Sequence, residues 1–195
     1  MSKIQTAHPR SKTATQTVGF TLIEMMVVIS IVGLLAAVVV GSLGESRSSA
    51  QYAVAESDFQ LIAEAVVLTG SPQSLTAITG NVCSMCACRD LPNSTDLGTL
   101  DESTNPAEQT CLNNWESAID AIAANSIYLS NTDASQLYRD PWGSPYVLDE
   151  NEGEVSDNPC RADLIRTVGP DRTYGTSDDR TTLLPFRTLQ CSNYN

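Results

Sequence analysis

The chain has 195 residues, with 11 Lys and Arg against 23 Asp and Glu, and a formal net charge of −12. This length accommodates one membrane helix and one modest globular domain. An acidic surface of this kind repels a phosphate backbone, so the charge argues against direct nucleic-acid binding through a basic patch.

The most distinctive stretch is an apolar run over residues 20–40, which follows a basic leader over residues 1–19. Roughly 20 apolar residues allow a helix to cross the hydrocarbon core of a bilayer. The leader contains Lys3, Arg10 and Lys12 and no acid. Because the basic side of a span stays in the cytoplasm, the sequence predicts a single-pass protein whose acidic C-terminal part lies outside the inner membrane.

The leader can be interpreted in two ways. In a secretory signal the cut follows the apolar region at a small-residue site, but no clear A-x-A site ends this region. The other interpretation places the cut ahead of the apolar region, after Gly19, and leaves Phe20 as the new N-terminus. Glu24 is the one acid inside the run, and an intramembrane carboxylate is costly unless something pairs with it.

The motif Gly19-Phe-Thr-Leu-Ile-Glu24-Met-Met-Val-Val resembles the prepilin cleavage motif of type IV pilins and type II secretion pseudopilins. The resemblance implies cleavage between Gly19 and Phe20 by a prepilin peptidase, followed by methylation of the Phe20 amine. In a filament core the carboxylate of Glu24 needs a cation, and an unpaired buried charge is far costlier than a paired one. We hypothesise that the Phe20 ammonium of a neighbouring subunit supplies it and sets the register of assembly.

The six cysteines all lie on the side of the membrane where disulfides persist: Cys83, Cys86, Cys88, Cys111, Cys160 and Cys191. Their even number favours structural disulfides, whose pairing sequence alone leaves open. Cys83-x-x-Cys86-x-Cys88 could also be a metal or cluster site, but no second CxxC occurs and the one histidine, His8, is in the leader.

A single helix is predicted from about Phe20 to about Thr69, with an amphipathic second half over residues 41–70. Ala50, Val54, Leu61, Ala65 and Leu68 recur at helical spacing and form its expected buried face. Gly70, Ser71 and Pro72 are expected to end it.

Residues 71–112 are rich in turn formers and are expected to be irregular. With the next helix they make up a Cys-rich region over residues 71–139. Asn113, with Glu116 three residues later, is the expected N-cap of that second helix, and Trp115, Ile119 and Ile122 lie on its apolar face.

Residues 140–195 are expected to form the sheet region. Tyr146–Leu148 and Glu154–Val155 form a candidate hairpin, with further strands at Ala162–Val168 and Thr181–Leu189, the latter an edge strand because of Pro185. The fold class is therefore α+β: a long N-terminal helix packed on a small antiparallel sheet, as in the pilin-like fold.

A second resemblance lies in this region. Asp140-Pro-Trp-Gly-Ser-Pro-Tyr146, followed by an acidic loop from Gly169 to Asp179, resembles the C-terminal half of major pseudopilins of type II secretion systems, where such a loop holds calcium. The resemblance implies Asp171 and Asp178 or Asp179 as carboxylate ligands, and calcium accepts this mixture of carboxylates and backbone carbonyls. Arg172 and Arg180 depart from the family pattern and are expected to compete with the cation. Because many pilus subunits close a C-terminal loop with one disulfide, a Cys160–Cys191 pair is expected.

No enzyme is predicted, because no histidine outside the leader can act as a base and no nucleophile or phosphate-binding motif is present.

The sequence predicts a homo-oligomeric structural subunit of a filament that resembles a type IV pilus. Its partners would be a prepilin peptidase, an inner-membrane assembly platform and minor pilins of a Gram-negative-type bacterium. Pseudopilus and surface pilus both remain open: the first serves protein export from the periplasm across the outer membrane, the second adhesion, twitching motility or DNA uptake at the cell surface. The two motifs after Asp140 favour the first.

Overall fold

A computed structural model describes residues 19–69, 74–154, 156–185, 187–188 and 190–191 of the chain. The chain divides into two compact units, Met1–Gly44 and Glu45–Asn195. Helix α1 spans Leu22–Val67, which lies within two residues of both predicted ends. The predicted stop at Gly70, Ser71 and Pro72 lies outside the described residues.

In the first unit, the apolar side chains of α1 are exposed along its whole circumference, from Leu22 at 78% to Val39 at 53%. It is the one helix in the described part of the chain that is long and apolar enough to cross a membrane. The one polar side chain between Met25 and Val39, Ser30, donates from Oγ to the Met26 carbonyl at 2.7 Å. Such a helix exposes little besides hydrocarbon to its surroundings.

In the second unit, α1 buries a face that only partly overlaps the predicted one: Ala65 is buried and Leu61 packs against the core, as predicted. Val54 and Leu68 are 51% and 41% exposed, whereas Phe59 and Ile62 are buried. The prediction is wrong at Ala50, Val54 and Leu68 because it omitted these two large side chains, whose burial removes more apolar area from water. The buried residues follow spacings of three and four, as one helical face requires: Ala55, Phe59, Ile62 and Val66.

Residues 71–112 are more regular than predicted. The described part of this stretch contains α2 at Leu75–Thr79, α3 at Ser84–Arg89 and a 3-10 turn at Leu97–Glu102. Helices of five or six residues are too short to show a repeating apolar period, so the sequence pattern does not reveal them. Helix α3 and the 3-10 turn contribute to a small core built on the Cys88–Cys111 disulfide, whereas Leu75 of α2 lies in the main core.

The second long helix, α4, spans Pro106–Asn125, so the predicted N-cap at Asn113 is wrong. Asn105 is the N-cap, and its Oδ1 accepts a hydrogen bond from the Ala107 N–H at 3.1 Å. The Asn-x-x-Glu pattern occurs at both places, but Asn105 is followed by proline, whose fixed φ suits the first helical position. The apolar face was predicted correctly, since Trp115, Ile119 and Ile122 are fully buried.

Helix α4 packs against α2, α3 and a further short helix, α5, at Asn131–Gln136. The Trp115 Nε1–H donates to the Leu137 carbonyl at 2.9 Å. Tyr146 lies at the centre of the main core, with its ring 5.5 Å from that of Phe59 and 5.7 Å from that of Trp115. Its hydroxyl donates to the Asp58 carboxylate at 2.6 Å. One aromatic side chain thus joins α1, α4 and the sheet.

The sheet has three antiparallel strands in the order β1-β2-β3: Val147–Asp149, Leu164–Thr167 and Arg180–Leu183. Leu148 lies opposite Ile165, which in turn lies opposite Thr182. The predicted α+β fold, with a long N-terminal helix and a small antiparallel sheet, is confirmed.

Two details of the strand prediction are wrong. The partner of β1 is β2, not a strand at Glu154–Val155; Val155 lies outside the described residues. The connection instead folds around the Asp163 carboxylate, whose Oδ1 accepts the N–H groups of Asn151 and Glu152 at 2.6 and 2.8 Å. The last strand ends at Leu183, ahead of Pro185, and Leu189 lies outside the described residues.

Candidate functional site

The predicted cleavage site lies just outside helix α1. Gly19 and Phe20 precede its first residue, and the Phe20 side chain is 79% exposed. At the start of the helix, Thr21 and Glu24 form a reciprocal cap: Glu24 Oε2 accepts the Thr21 N–H at 2.8 Å, and Thr21 Oγ1 accepts the Glu24 N–H at 3.3 Å. This is the capping-box pattern. Glu24 therefore has an intramolecular partner that was not predicted from the sequence.

The acidic loop connects β2 to β3 and is shaped by Gly169. This residue has φ +70°, and a Cβ placed on it would lie 2.8 Å from the Asp178 carbonyl oxygen. Only glycine fits both the left-handed backbone and the close approach. The Asp171 N–H donates to Asp178 Oδ2 at 3.1 Å, which closes the loop.

The predicted ligands Asp171 and Asp178 are thus neighbours, whereas Asp179 is engaged elsewhere. Its Oδ2 pairs with Arg166 Nη1 at 3.1 Å and accepts the Gly175 N–H at 3.0 Å. Within the described part of the chain, these three carboxylates do not form a set whose ligand atoms all lie within 4.8 Å of one another. Asp171 and Asp178 suit a calcium ion, which binds carboxylate and carbonyl oxygens in turns; Asp179 as placed is an anchor for the loop.

The surroundings of Asp178 stabilise the ionised form of its carboxyl group. Burial raises the pKa of its carboxyl, but the hydrogen bonds from the Thr176 hydroxyl and the Asp171 N–H outweigh that effect and hold the pKa below its ordinary value. An ionised carboxylate at neutral pH is the state that a cation requires.

The two arginines expected to compete with a cation have other partners. Arg172 Nη2 lies 2.8 Å from Asp96 Oδ2, next to the 3-10 turn. The Arg180 guanidinium lies 5.0 Å from the centre of the Tyr52 ring. The arginine that pairs with the loop is Arg166 on β2, which the sequence analysis did not single out.

The Asp140-Pro-Trp-Gly motif is a turn held by its own aspartate. Asp140 Oδ1 accepts the N–H groups of Trp142 and Ser144 at 3.0 and 2.9 Å, and Oδ2 accepts the Thr167 hydroxyl. Gly143 adopts φ +91°. Burial raises the pKa of Asp140, although these hydrogen bonds oppose it. The motif is therefore a structural corner that fixes the start of β1.

Tyr52 on α1 connects this corner to the acidic loop. Its ring lies 4.7 Å from that of Trp142, and its hydroxyl donates to the Asp178 carbonyl at 2.8 Å. The neighbouring Gln51 donates from Nε2 to the Pro141 carbonyl at 2.9 Å. Two motifs that are distant in sequence thus share one support on α1. No signal in the sequence marked Tyr52, because a lone tyrosine on a helix has no characteristic spacing.

The six cysteines form three disulfides: Cys83–Cys86, Cys88–Cys111 and Cys160–Cys191. The pairing of Cys160 with Cys191 is the one expected from the resemblance. It ties the connection after β1 to the segment after β3.

The chain is similar to known proteins both at its N-terminal motif and over most of its length. The family model of the prokaryotic N-terminal methylation motif matches residues 19–40. The type II secretion system core protein G of Escherichia coli strain K12 is 33% identical over 168 residues, covering 84% of this chain and 88% of that protein.

The chain belongs to the type II secretion system core protein G family. The core protein G of Aeromonas hydrophila is 28% identical over 161 residues, covering 83% of this chain and 88% of that protein. No solved structure matches the chain significantly. The family similarity extends well beyond the two motifs from which the resemblance was first drawn.

Proposed function

We propose that the protein is a pseudopilin: a structural, non-catalytic subunit of the filament that drives protein export in a type II secretion system. The observation that carries this function is the similarity over most of the chain to core protein G, together with the methylation motif at residues 19–40. The fold supports it, because one exposed apolar helix segment and one compact disulfide-linked unit are what a filament subunit needs.

Processing would begin at the bond between Gly19 and Phe20, by a prepilin peptidase with access to a segment outside the helix. Methylation of the Phe20 amine would follow. The exposed apolar part of α1 would then exchange lipid for the same segment of neighbouring subunits, because large apolar side chains such as Leu22, Ile29 and Leu34 are more than half exposed.

During this exchange Glu24 would pair with the Phe20 ammonium of a neighbouring subunit. The capping contacts with Thr21 use one carboxylate oxygen, Oε2, and leave Oε1 without a role in the cap. A carboxylate can therefore hold its own helix end and accept a cation at the same time. The pair would disfavour other registers, which would leave both charges buried and unpaired.

In the cell, the precursor would be held in the inner membrane of a Gram-negative-type bacterium with the second unit in the periplasm. The assembly partners would be an inner-membrane platform and minor pilins, and the filament itself would be homo-oligomeric. Three disulfides in one domain support an oxidising compartment.

Calcium is proposed as a structural ion at the acidic loop, held by Asp171 and Asp178 with backbone carbonyls of the loop. When bound, it would neutralise these two charges and hold the ends of the loop together. Asp179 would join as a ligand only by giving up Arg166, with which it forms a 3.1 Å ion pair.

The test is a clean deletion in the native host, complemented with the wild-type chain and scored for secreted proteins and for surface filaments. A pseudopilin predicts that exported enzymes accumulate in the periplasm while surface pili remain. Normal secretion with loss of pili, adhesion or twitching would contradict the proposal and favour a surface pilus. Complementation with Gly19→Asn, which should block cleavage, is expected to behave as the deletion does.

A further inference from the structure

The Cys83–Cys86 disulfide is expected to stabilise the fold less than the other two disulfides do. It links residues three apart, whereas the other disulfides link residues 23 and 31 apart. A cross-link stabilises a fold mainly by restricting the unfolded chain, and the restriction grows with the length of the closed loop. Cys83 is also already held as the N-cap of α3, where its Sγ accepts the Cys86 N–H at 3.0 Å. Stabilisation of the fold therefore does not account for this disulfide.

It is also the most accessible of the three. Cys83 and Cys86 are both half-buried, whereas each of the other disulfides contains a buried cysteine: Cys88 and Cys111 are 2% and 0% exposed, and Cys191, the partner of the half-buried Cys160, is 1% exposed. A thiolate attacks a disulfide only where it can reach a sulfur along the bond axis, so access decides which disulfide is exchanged. The Cys83–Cys86 pair is therefore the first that a dithiol reductant would open.

A carboxylate lies directly against this pair. Asp149 Oδ1 is 3.4 Å from Cys83 Sγ. Among the described residues, Cys83, Cys86 and Asp149 form the one set of three or more Cys, His, Asp or Glu side chains whose ligand atoms all lie within 4.8 Å of one another. A disulfide sulfur has no proton to donate, so the contact with Asp149 gains no hydrogen bond in the oxidised state.

The position of Asp149 is fixed by its surroundings. Arg161 Nη2 lies 3.9 Å from Oδ2, the oxygen that does not face Cys83. The fully buried Ser84 accepts the Leu148 N–H at 2.7 Å and so ties α3 to β1. The Asn151 amide donates to the Asp149 carbonyl at 3.2 Å. Contacts of this kind around a ligand orient it and support its affinity for a metal.

We propose that Cys83, Cys86 and Asp149 form a redox-gated site for a thiophilic divalent cation, with Zn²⁺ as its natural occupant. Two cysteines separated by two residues are the usual spacing of zinc ligands, and a third protein ligand leaves the fourth tetrahedral position to water. The spacing that allows the disulfide thus also allows the metal, and the redox state selects between them.

A dithiol reductant, of the class used by thiol–disulfide oxidoreductases, transfers two electrons to the Cys83–Cys86 bond and becomes a disulfide. The sulfur–sulfur bond breaks, and each cysteine takes up one of the two protons that the dithiol loses, so that both become thiols. Zn²⁺ then binds both sulfurs and the Asp149 carboxylate, and the two thiol protons pass to solvent.

The first measurement uses the full chain in detergent micelles under limiting dithiothreitol, with alkylation and mass spectrometry to map the free thiols. Cys83 and Cys86 are expected to be alkylated before the other four cysteines. Earlier opening of either other disulfide would overturn the proposal.

The second measurement removes the reductant under nitrogen and titrates Co²⁺, followed by Zn²⁺. One equivalent of Co²⁺ should give a thiolate-to-metal charge-transfer absorption that Zn²⁺ abolishes.

Asp149→Asn should weaken Zn²⁺ binding by about tenfold or more. The control Asp90→Asn removes a mostly exposed acid at the other end of α3 and should leave the affinity unchanged. Absence of a stoichiometric complex, or equal affinity in Asp149→Asn, would refute the site. A Cys83→Ser/Cys86→Ser variant with an unchanged circular dichroism spectrum should bind no Co²⁺.

Discussion

Asp96 and Arg172 join the 3-10 turn to the acidic loop through an ion pair of 2.8 Å. The Arg172 carbonyl also accepts the Leu97 N–H at 2.9 Å. Arg172 adopts φ +55°, the left-handed conformation that a glycine would adopt without strain. Arg172, which departs from the family pattern, therefore has the backbone conformation typical of a glycine and adds a side-chain contact to the Cys-rich region.

Replacing Arg172 by glycine should be less harmful than replacing it by alanine. Both variants lose the pair with Asp96, which is half-exposed and worth at most about 1 kcal/mol. Alanine retains the left-handed strain of about 1–2 kcal/mol, whereas glycine does not. Urea unfolding of the full chain in micelles measures the difference, and an alanine variant as stable as the glycine variant would contradict this account.

Gly169→Ala should disrupt the acidic loop more than Gly175→Ala does. Both glycines have positive φ, at +70° and +86°, so both substitutions introduce the same kind of backbone strain. Only at Gly169 would the new Cβ also meet the Asp178 carbonyl, whereas at Gly175 it meets nothing within 4 Å. Thermal unfolding should show a larger loss for Gly169→Ala, and equal losses would argue against the close approach.

Calcium removal should destabilise the wild-type chain if the loop holds the ion. A chelator is expected to lower the unfolding temperature of the wild type and to have little effect on Asp178→Asn, which lacks one of the two ligand charges. Asp157→Asn, an exposed acid outside the loop, is the matched control and should respond to the chelator as the wild type does. Isothermal titration of Asp178→Asn that shows wild-type calcium affinity would exclude this ligand.

Glu24→Gln should separate helix capping from assembly. Glutamine can replace glutamate in a capping box, so the helix end is expected to stay intact, but it carries no charge for a neighbouring ammonium. Filament formation in cells should therefore fail while the amount of membrane-inserted, cleaved subunit is unchanged. Thr21→Ala is the complementary control, since it removes the hydroxyl contacts of the cap and keeps the charge. Normal filaments in Glu24→Gln would mean that the charge has no part in assembly.

Asp163 should make folding stability depend on pH. Burial raises the pKa of its carboxyl from 3.8 to about 6, although the N–H groups of Glu152 and Asn151 oppose the shift. The folded chain therefore holds the proton more tightly than the unfolded chain, and this contribution, present in full below pH 3.8, is lost as the pH rises through about 6.

The isosteric Asp163→Asn variant should remove that dependence. Asparagine Oδ1 can still accept the two N–H groups that now reach the carboxylate. Relative to the wild type, the variant should gain stability as the pH rises from 4 to 7, by on the order of 2 kcal/mol in total. Urea midpoints measured across this range provide the test, and two parallel curves would show that Asp163 does not titrate there.

Much of the fold could be predicted because its signals are local and strong. The apolar run after Gly19 specifies a helix by composition, and the periodic placement of Trp115, Ile119 and Ile122 specifies the buried face of α4. The weaker predictions failed where two local signals compete. Asn105 and Asn113 have the same capping pattern, and the proline that decides between them acts through backbone geometry rather than hydrophobicity.

The candidate site was only partly predictable. Asp171 and Asp178 lie close in sequence, and the loop brings them together as expected. Arg166 and Tyr52 reach the same loop from a strand and a helix, and their roles follow from tertiary packing that no spacing encodes. Asp163 likewise holds the connection between β1 and β2 by accepting two backbone N–H groups. In the sequence it is an ordinary acid just before a strand.

A peptidase that cuts before the reciprocal cap of Thr21 and Glu24 does not need to unfold helix α1. A protease takes its substrate as extended backbone, and the Gly19–Phe20 bond already lies two residues ahead of Leu22, the first residue of α1. Cutting there breaks no helical hydrogen bond and leaves both capping contacts in place. Maturation would therefore change the charge of the N-terminus without changing the secondary structure. The precursor and the mature subunit would have the same conformation but a different charge at the N-terminus. The timing of assembly can therefore be governed by the cleavage of a single peptide bond.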